Sequence, residues 1–269
     1  MENKFELGVI PKKQEHISKP VVSTWSGTDN LKNFKKYLSN CASKGIEPDY
    51  TPDSFEYRFN TYGWRTHEFV ELTNTILCFG CSFTEGVGVD EPWPVLLEKE
   101  FPTHTIYNFG LPGASSDTIA RLAANTIPYF NPEFVFILWP SAARFEVLTK
   151  GDFGAKFNRF EFLGPWSKIG ESIDLLSDPH ATHRLHKNKL MVNLLANVYG
   201  VKAVFSEDAE QLLDFNKNQE DAKLPSPAGL KEFFQSIDLA RDGQHPGKKT
   251  QEYFKQKMLT QYTRYYDNQ

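Results

Sequence analysis

The stretch Thr75-Ile-Leu-Cys-Phe-Gly80-Cys81-Ser82-Phe83-Thr84-Glu85-Gly86 decides the reading of this chain. An apolar run of strand length ends at a glycine and gives way to polar residues. Trp93, Leu96, Leu97 and Phe101 then recur at helical spacing. A serine just beyond the C-terminal end of a parallel strand stands where open α/β sheets build their sites. If a helical turn starts there, the Ser82 N–H has no intrahelical acceptor and is free to face an oxyanion while the side-chain oxygen attacks. Gly80 and Gly86 permit tight turns and close approach of backbone or ligand. The plainer alternative is a serine that caps a helix. Thr84 occupies the place of the second glycine in a G-x-S-x-G elbow, so the pattern is not that elbow.

Outward from this stretch, strand and helix patterns alternate. His104–Phe109 reads as a strand, followed by Gly110, Gly113 and a cap at Ser116 or Asp117. Ile119, Leu122, Ala123 and Ile127 then form a helical stripe expected to end near Pro128. Phe134–Trp139, bounded by Pro132 and Pro140, is apolar on both faces, as a central parallel strand covered on both sides must be. Leu190, Met191, Leu194, Leu195 and Val198 form an apolar helical face before Gly200, and Val201–Phe205 is a fourth strand. A last helix over Lys248–Gln261 is expected to present Phe254, Met258 and Tyr262 inward. This order predicts an α/β fold with a mostly parallel sheet and right-handed crossovers.

The 269 residues suit one such domain with decoration. Residues 1–60 read as an N-terminal extension packed on the core, since Trp25, Phe34, Tyr37 and Tyr50 give it more aromatic side chains than a free tail needs. A helix over Asn30–Leu38 is expected within it. Residues 61–269 form the main domain, with insertions near 150–184 and 207–232 that are long for simple connections. The net charge of −4 and the lack of a basic block argue against a dedicated nucleic-acid binder. Three cysteines, an odd number in a long chain, argue against a disulfide framework. No apolar run is long enough for a membrane span, and the first residues do not read as a secretory signal. A cytoplasmic protein is the resulting expectation.

Two further constellations carry chemistry. In Asp242-Gly-Gln-His245-Pro246 an Asp three residues before a His reaches the same ring if the segment turns tightly. A carboxylate on Nδ1 fixes the tautomer and leaves Nε2 to take a proton from a serine. The alternative is an ordinary surface turn. In Asn108-Phe-Gly110-Leu-Pro-Gly113, Gly113 leaves a backbone N–H exposed, which suits an oxyanion hole and equally a phosphate nest.

Together these blocks resemble the SGNH or GDSL-type hydrolase superfamily, whose four blocks contribute Ser, Gly, Asn and His. Gly80-Cys81-Ser82 stands for the usual Gly-Asp-Ser. Asn108, Gly110 and Gly113 meet Asn-x-Gly-x-x-Gly, and Asp242, His245 and Pro246 meet Asp-x-x-His-Pro. Asn60-Thr-Tyr-Gly63-Trp-Arg65 and Val89-Asp-Glu-Pro-Trp93-Pro-x-x-Leu96 are also similar to stretches of many members. The resemblance covers roughly residues 58–145 and 237 to the end. It implies a three-layer α/β/α, flavodoxin-like fold with about five strands. It also implies a Ser82–His245–Asp242 triad and an oxyanion hole made by the N–H groups of Ser82 and Gly113.

The third block departs from the pattern. Where the family has Gly-x-Asn-Asp, this chain has Pro140-Ser141-Ala-Ala-Arg144. Either the Ser141 hydroxyl or the Arg144 guanidinium is a candidate for the missing donor. Their plainer roles are a helix cap for Ser141 and an ion pair with Glu146 for Arg144. Asn108, Gly110, Phe83 and Trp139 are the expected substrate-binding residues. Cys78 and Cys81 are expected to be buried rather than metal-binding. His180, His183 and His186 are expected on a solvent-facing basic helix start, and Phe157, Phe160, Phe162 and Trp166 could line a groove or pack among themselves.

The expected function is serine-dependent hydrolysis of a carboxylic ester, first of all a short O-acyl group on a sugar or small polar molecule, with no cofactor and no metal. An O-acyltransferase, or a catalytically weak binding or structural protein on the same scaffold, are the alternatives. The partner is a small-molecule or carbohydrate ester; homo-oligomerisation is left open.

Overall fold

The computed structural model describes residues 13, 19–70, 72–150, 158–164, 178–206 and 238–267. In chain order the elements are β1 (Val21–Ser23), α1 (Leu31–Ser43), β2 (Tyr57–Phe59), β3 (Thr75–Gly80), α2 (Ser82–Glu85) and α3 (Trp93–Leu97). There follow β4 (Thr105–Gly110), α4 (Ser116–Phe130), β5 (Phe134–Leu138), β6 (Phe145–Lys150), β7 (Asn158–Leu163), α5 (Asp178–Val198), β8 (Lys202–Ser206) and α6 (Lys248–Tyr262). The central sheet runs β4-β3-β5-β8 with every pairing parallel. It holds four strands among the described residues, against an expectation of about five.

The sheet is buried on both faces, and the period-2 alternation of its strands sorts side chains between two cores. Leu77, Phe79, Tyr107, Phe109, Val135 and Ile137 point to one, where Ile119, Leu122 and Ile127 of α4 and Leu185 and Val192 of α5 cover them. Ile76, Cys78, Ile106, Phe134, Phe136 and Leu138 point to the other, under Trp93 and Leu97 of α3 and Phe254 and Met258 of α6. Each such large side chain contributes about 1.5–3 kcal/mol of transfer free energy when fully buried. The result is the expected three-layer α/β/α arrangement. Its two outer pairs, β1 with β2 and β6 with β7, are antiparallel and separate from the central sheet.

α4 ends near Pro128 as expected, running on to Phe130 and stopping at Asn131 in the left-handed conformation, φ 42°. A proline in the last turn removes one N–H near the end of the ladder, and the Asn131 N–H still reaches the Ile127 carbonyl at 2.9 Å. Two expectations are corrected. Phe101 lies beyond α3, which stops at Leu97. The larger correction concerns α5. Leu190, Met191, Leu194 and Val198 are exposed, whereas Ala181, Leu185, Asn188, Val192 and Ala196 are buried. Small residues let α5 approach α4 closely, and the Asn188 amide donates to Ser116 Oγ and Asp117 Oδ1, both at 2.9 Å. A polar clasp and two alanines, not the bulkiest apolar stripe, choose the inward face.

α1 begins where the sequence places it, with Asn30 as N-cap accepting the Asn33 N–H at 3.0 Å, and runs on to Ser43. Phe34, Tyr37 and Tyr50 are buried with Trp25, Leu38, Phe55 and Leu239 around them. Leu239 also packs against the second core, so the extension reaches the chain just before Asp242.

Candidate active site

The nucleophile candidate sits on a turn built by short-range necessity. β3 ends at Gly80, Cys81 takes the N-cap position of α2, and Ser82 is its first residue. No hydrogen bond among the described residues uses the Ser82 N–H or Oγ, whereas the Ser82 carbonyl accepts from Gly86 and Val87 at 2.9 and 3.1 Å. The serine therefore does not cap the helix, the plainer role open to it. A Cβ added at Gly80 would lie 1.9 Å from Thr84 Oγ1, and one at Gly110 would lie 2.1 Å from the Glu85 nitrogen. Only glycine lets α2 fold down onto the ends of β3 and β4.

Asn108 fastens that packing. Its Nδ2 donates to the Thr84 carbonyl at 2.8 Å and its Oδ1 accepts the Gly110 N–H at 2.8 Å, with the side chain buried. Asn108 and Gly110, expected to bind substrate, both hold the serine turn here. Trp139, another expected substrate-binding residue, is buried in the core, edge-on to Phe205 at 5.9 Å, and its Nε1 has no hydrogen-bond partner among the described residues.

Behind the turn, Glu85 is 1% exposed and its charge is met by Lys13 Nζ at 2.8 Å. Arg65, also buried, donates to the carbonyls of Glu85, Gly86, Val89 and Asp90 at 2.5–3.2 Å. Its guanidinium thus gathers four carbonyls at and just after the end of α2, of which that of Gly86 also accepts the Val89 N–H at 3.2 Å. The Asn60-to-Arg65 stretch singled out in the sequence is the anchor of the serine loop.

The acid–base candidate is a tight turn. Asp242 Oδ1 accepts the N–H groups of Gln244 and His245 at 2.9 and 3.0 Å, and its Oδ2 lies 2.7 Å from His245 Nδ1. Burial works against the carboxylate, but the charge and hydrogen bonds of His245 and the two N–H groups outweigh it and hold the Asp242 carboxyl below its ordinary range. An ionised Asp242 accepts the Nδ1 proton and leaves Nε2 as the ring nitrogen away from the carboxylate.

The serine turn and this loop touch. The His245 ring meets the ring of Phe83, the residue after Ser82, edge-on at 6.0 Å, and the Arg241 N–H donates to the Gly88 carbonyl at 2.9 Å. Phe83 also stacks on Phe254 of α6 at 6.1 Å, which makes it a spacer between the two blocks. Gly113 has φ +80°, a conformation that favours glycine, and a Cβ added there would lie 3.3 Å from the Cβ of Phe162 in β7.

The third block is less committed. Ser141 Oγ accepts the Ala143 N–H at 3.3 Å and so caps its own turn rather than a helix. Glu146, the ion-pair partner considered for Arg144, is gripped by two nitrogens of Arg121 at 2.7 and 2.8 Å. The Ala142 and Arg144 carbonyls accept from Arg184 at 3.0 and 2.8 Å, which fixes the backbone of the block. His180, His183 and His186 are exposed, and Cys78 and Cys81 are buried free thiols. Among the described residues no cluster of His, Cys, Asp or Glu could hold a metal. Phe157 and Trp166, and the side chain of Phe160, lie outside the described residues. No described helix is long and apolar enough to cross a membrane.

Sequence reasoning missed the residues that hold the Asp–His loop from outside. Arg241, fully buried, pairs with Asp29 at 2.7 Å, and its guanidinium also donates to the carbonyls of Thr24, Pro52 and Phe55. Tyr57 donates to Asp29 at 2.7 Å and accepts the Gly88 N–H at 2.7 Å. A charged residue directly before Asp242 was the only available signal, and nothing in it pointed 212 residues back.

No family model matches this sequence, and no curated protein does. Among solved structures the chain is similar to TesA, at 15% identity and TM-score 0.43 over 71% of this chain and 98% of that one. It is similar to the psychrotrophic esterase EstA from Pseudoalteromonas sp., at 14% and 0.42 over 72% and 100%. A GDSL-like lipase from Bacteroides thetaiotaomicron is similar at 12% and 0.31, over 87% of this chain and 98% of that one.

Proposed function

We propose that this chain is a serine esterase of SGNH type that cleaves a short O-acyl ester of a sugar or other small polar molecule through an acyl-enzyme. The observation that carries the reading is the 2.7 Å Asp242–His245 pair, whose ring lies against the residue next to Ser82. In this reading His245 Nε2 takes the Ser82 proton as Oγ attacks the carbonyl carbon, and Asp242 stabilises the imidazolium. The N–H groups of Ser82 and Gly113 receive the charge on the carbonyl oxygen, with Ser141 or Arg144 as third donor. His245 then protonates the departing alcohol. The same ring activates water to release the acid and free the serine. No metal or organic cofactor enters the sequence of steps.

The test is turnover of acyl esters graded in chain length, with acetylated sugars included, together with labelling by a fluorophosphonate. Ser82→Ala is expected to lower kcat by about 10⁶-fold and to abolish labelling. Turnover and labelling that survive the substitution would defeat the proposal. Arg144→Ala and Ser141→Ala separate the two third-donor candidates, since the true donor's loss costs about 10²–10³ in kcat.

A further inference from the structure

The carboxylate that orients His245 has a fourth partner. Thr28 Oγ1 donates to Asp242 Oδ2 at 2.8 Å, across 214 positions of sequence, and lies 3.4 Å from His245 Nδ1. We infer that Thr28 is a positioning residue of the active site, lent by the N-terminal extension to the Asp–His pair; this rests on the esterase reading above. An ionised carboxylate offers about four acceptor directions. Here the Gln244 and His245 N–H groups take the two on Oδ1, and Thr28 and the imidazole share Oδ2. The hydroxyl therefore fixes the second oxygen, so that the carboxylate plane does not swing away from the ring. The carboxylate itself calls for the proton on Nδ1; the hydroxyl holds Oδ2 in line with that N–H, so that the two donors meet one oxygen from fixed directions.

The placement of Thr28 is built. Its carbonyl accepts from Asn33 Nδ2 at 2.7 Å and Asn30 Nδ2 at 3.1 Å, and Gly27 takes a left-handed φ of 58° so that the turn closes. Two residues on, Asn30 caps α1. Asp29 between them grips Arg241. Consecutive side chains of one turn, at 28 and 29, thus hold consecutive side chains of the other, at 242 and 241. A buried ion pair sets the register, and the exposed threonine is the part of the turn that reaches the catalytic carboxylate.

Thr28→Val keeps the branched shape and removes the donor; Thr28→Ser restores a donor. With p-nitrophenyl acetate and the full chain, Thr28→Val is expected to lower kcat about tenfold at unchanged KM, and Thr28→Ser to recover most of the loss. The ¹H shift of the His245 Nδ1–H reports its hydrogen bond to Asp242 without turnover: far downfield in the wild type and in Thr28→Ser, moved upfield in Thr28→Val. Equal kcat and equal Nδ1–H shifts in wild type and Thr28→Val would overturn the inference. So would a loss that Thr28→Ser does not repair. If the wild type turns over no ester, the esterase reading fails and the Nδ1–H shift alone decides: a change in Thr28→Val that Thr28→Ser reverses upholds the positioning role, and its absence refutes it.

Discussion

The two halves of the candidate site are held in opposite ways. The serine turn is fixed by its own neighbourhood: Gly80 and Gly110 let α2 settle on two adjacent strands, and Asn108 ties it there. The Asp242–His245 turn bonds to the serine loop at Gly88 and leans on residues 24–57, through Thr28, Asp29 and the carbonyls around Arg241. The extension also reaches the serine turn, through Lys13 on Glu85 and Tyr57 on the Gly88 N–H, but Ser82 itself rests on β3 and β4. Damage to the extension should therefore disturb the acid–base pair more than the nucleophile.

The strongest way to break this contrast is Asp29→Ala, which leaves the Arg241 guanidinium buried without its counter-charge. A cost of about 3–5 kcal/mol is expected. Amide hydrogen exchange should rise first over residues 239–247 while β3 stays protected; uniform loss of protection would erase the distinction. Asn108→Ala attacks the other half. With a buried carbonyl and N–H left unpaired, it should cost about 1–3 kcal/mol for each group, read by urea unfolding, with added exchange at 82–88 rather than 239–247.

Acid sharpens the comparison further. The Asp242 carboxyl titrates below its ordinary 3.8 in the folded chain, so protons favour the unfolded state. Its stabilisation is fully present above that value and is lost as pH falls through the lower folded value. Asp242→Asn should flatten this part of the stability–pH curve in thermal melts, and an identical curve would refute the sign. The smallest effect belongs to α5. Leu194→Lys should change stability by no more than about 0.5 kcal/mol, because the side chain is already in solvent. A large loss would return the corrected face to the core.

The sequence legibly carried the sheet. Apolar runs such as Phe134–Leu138 are buried on both faces whatever the neighbours, so composition and period alone mark them. It also carried the left-handed turn at Gly113 and the contact of Asp242 with His245, because glycine geometry and an i,i+3 contact are local facts. Tertiary structure decided what locality cannot. Which face of α5 turns inward depended on the clasp of Asn188 with α4, and side chains of larger hydrophobicity lost to closer packing. That Asn108 ties α2 to β4 was set by where α2 comes to rest. Whether a threonine at 28 meets a carboxylate at 242 was settled only by folding, since hydrogen bonds between distant segments leave no periodic trace in the chain.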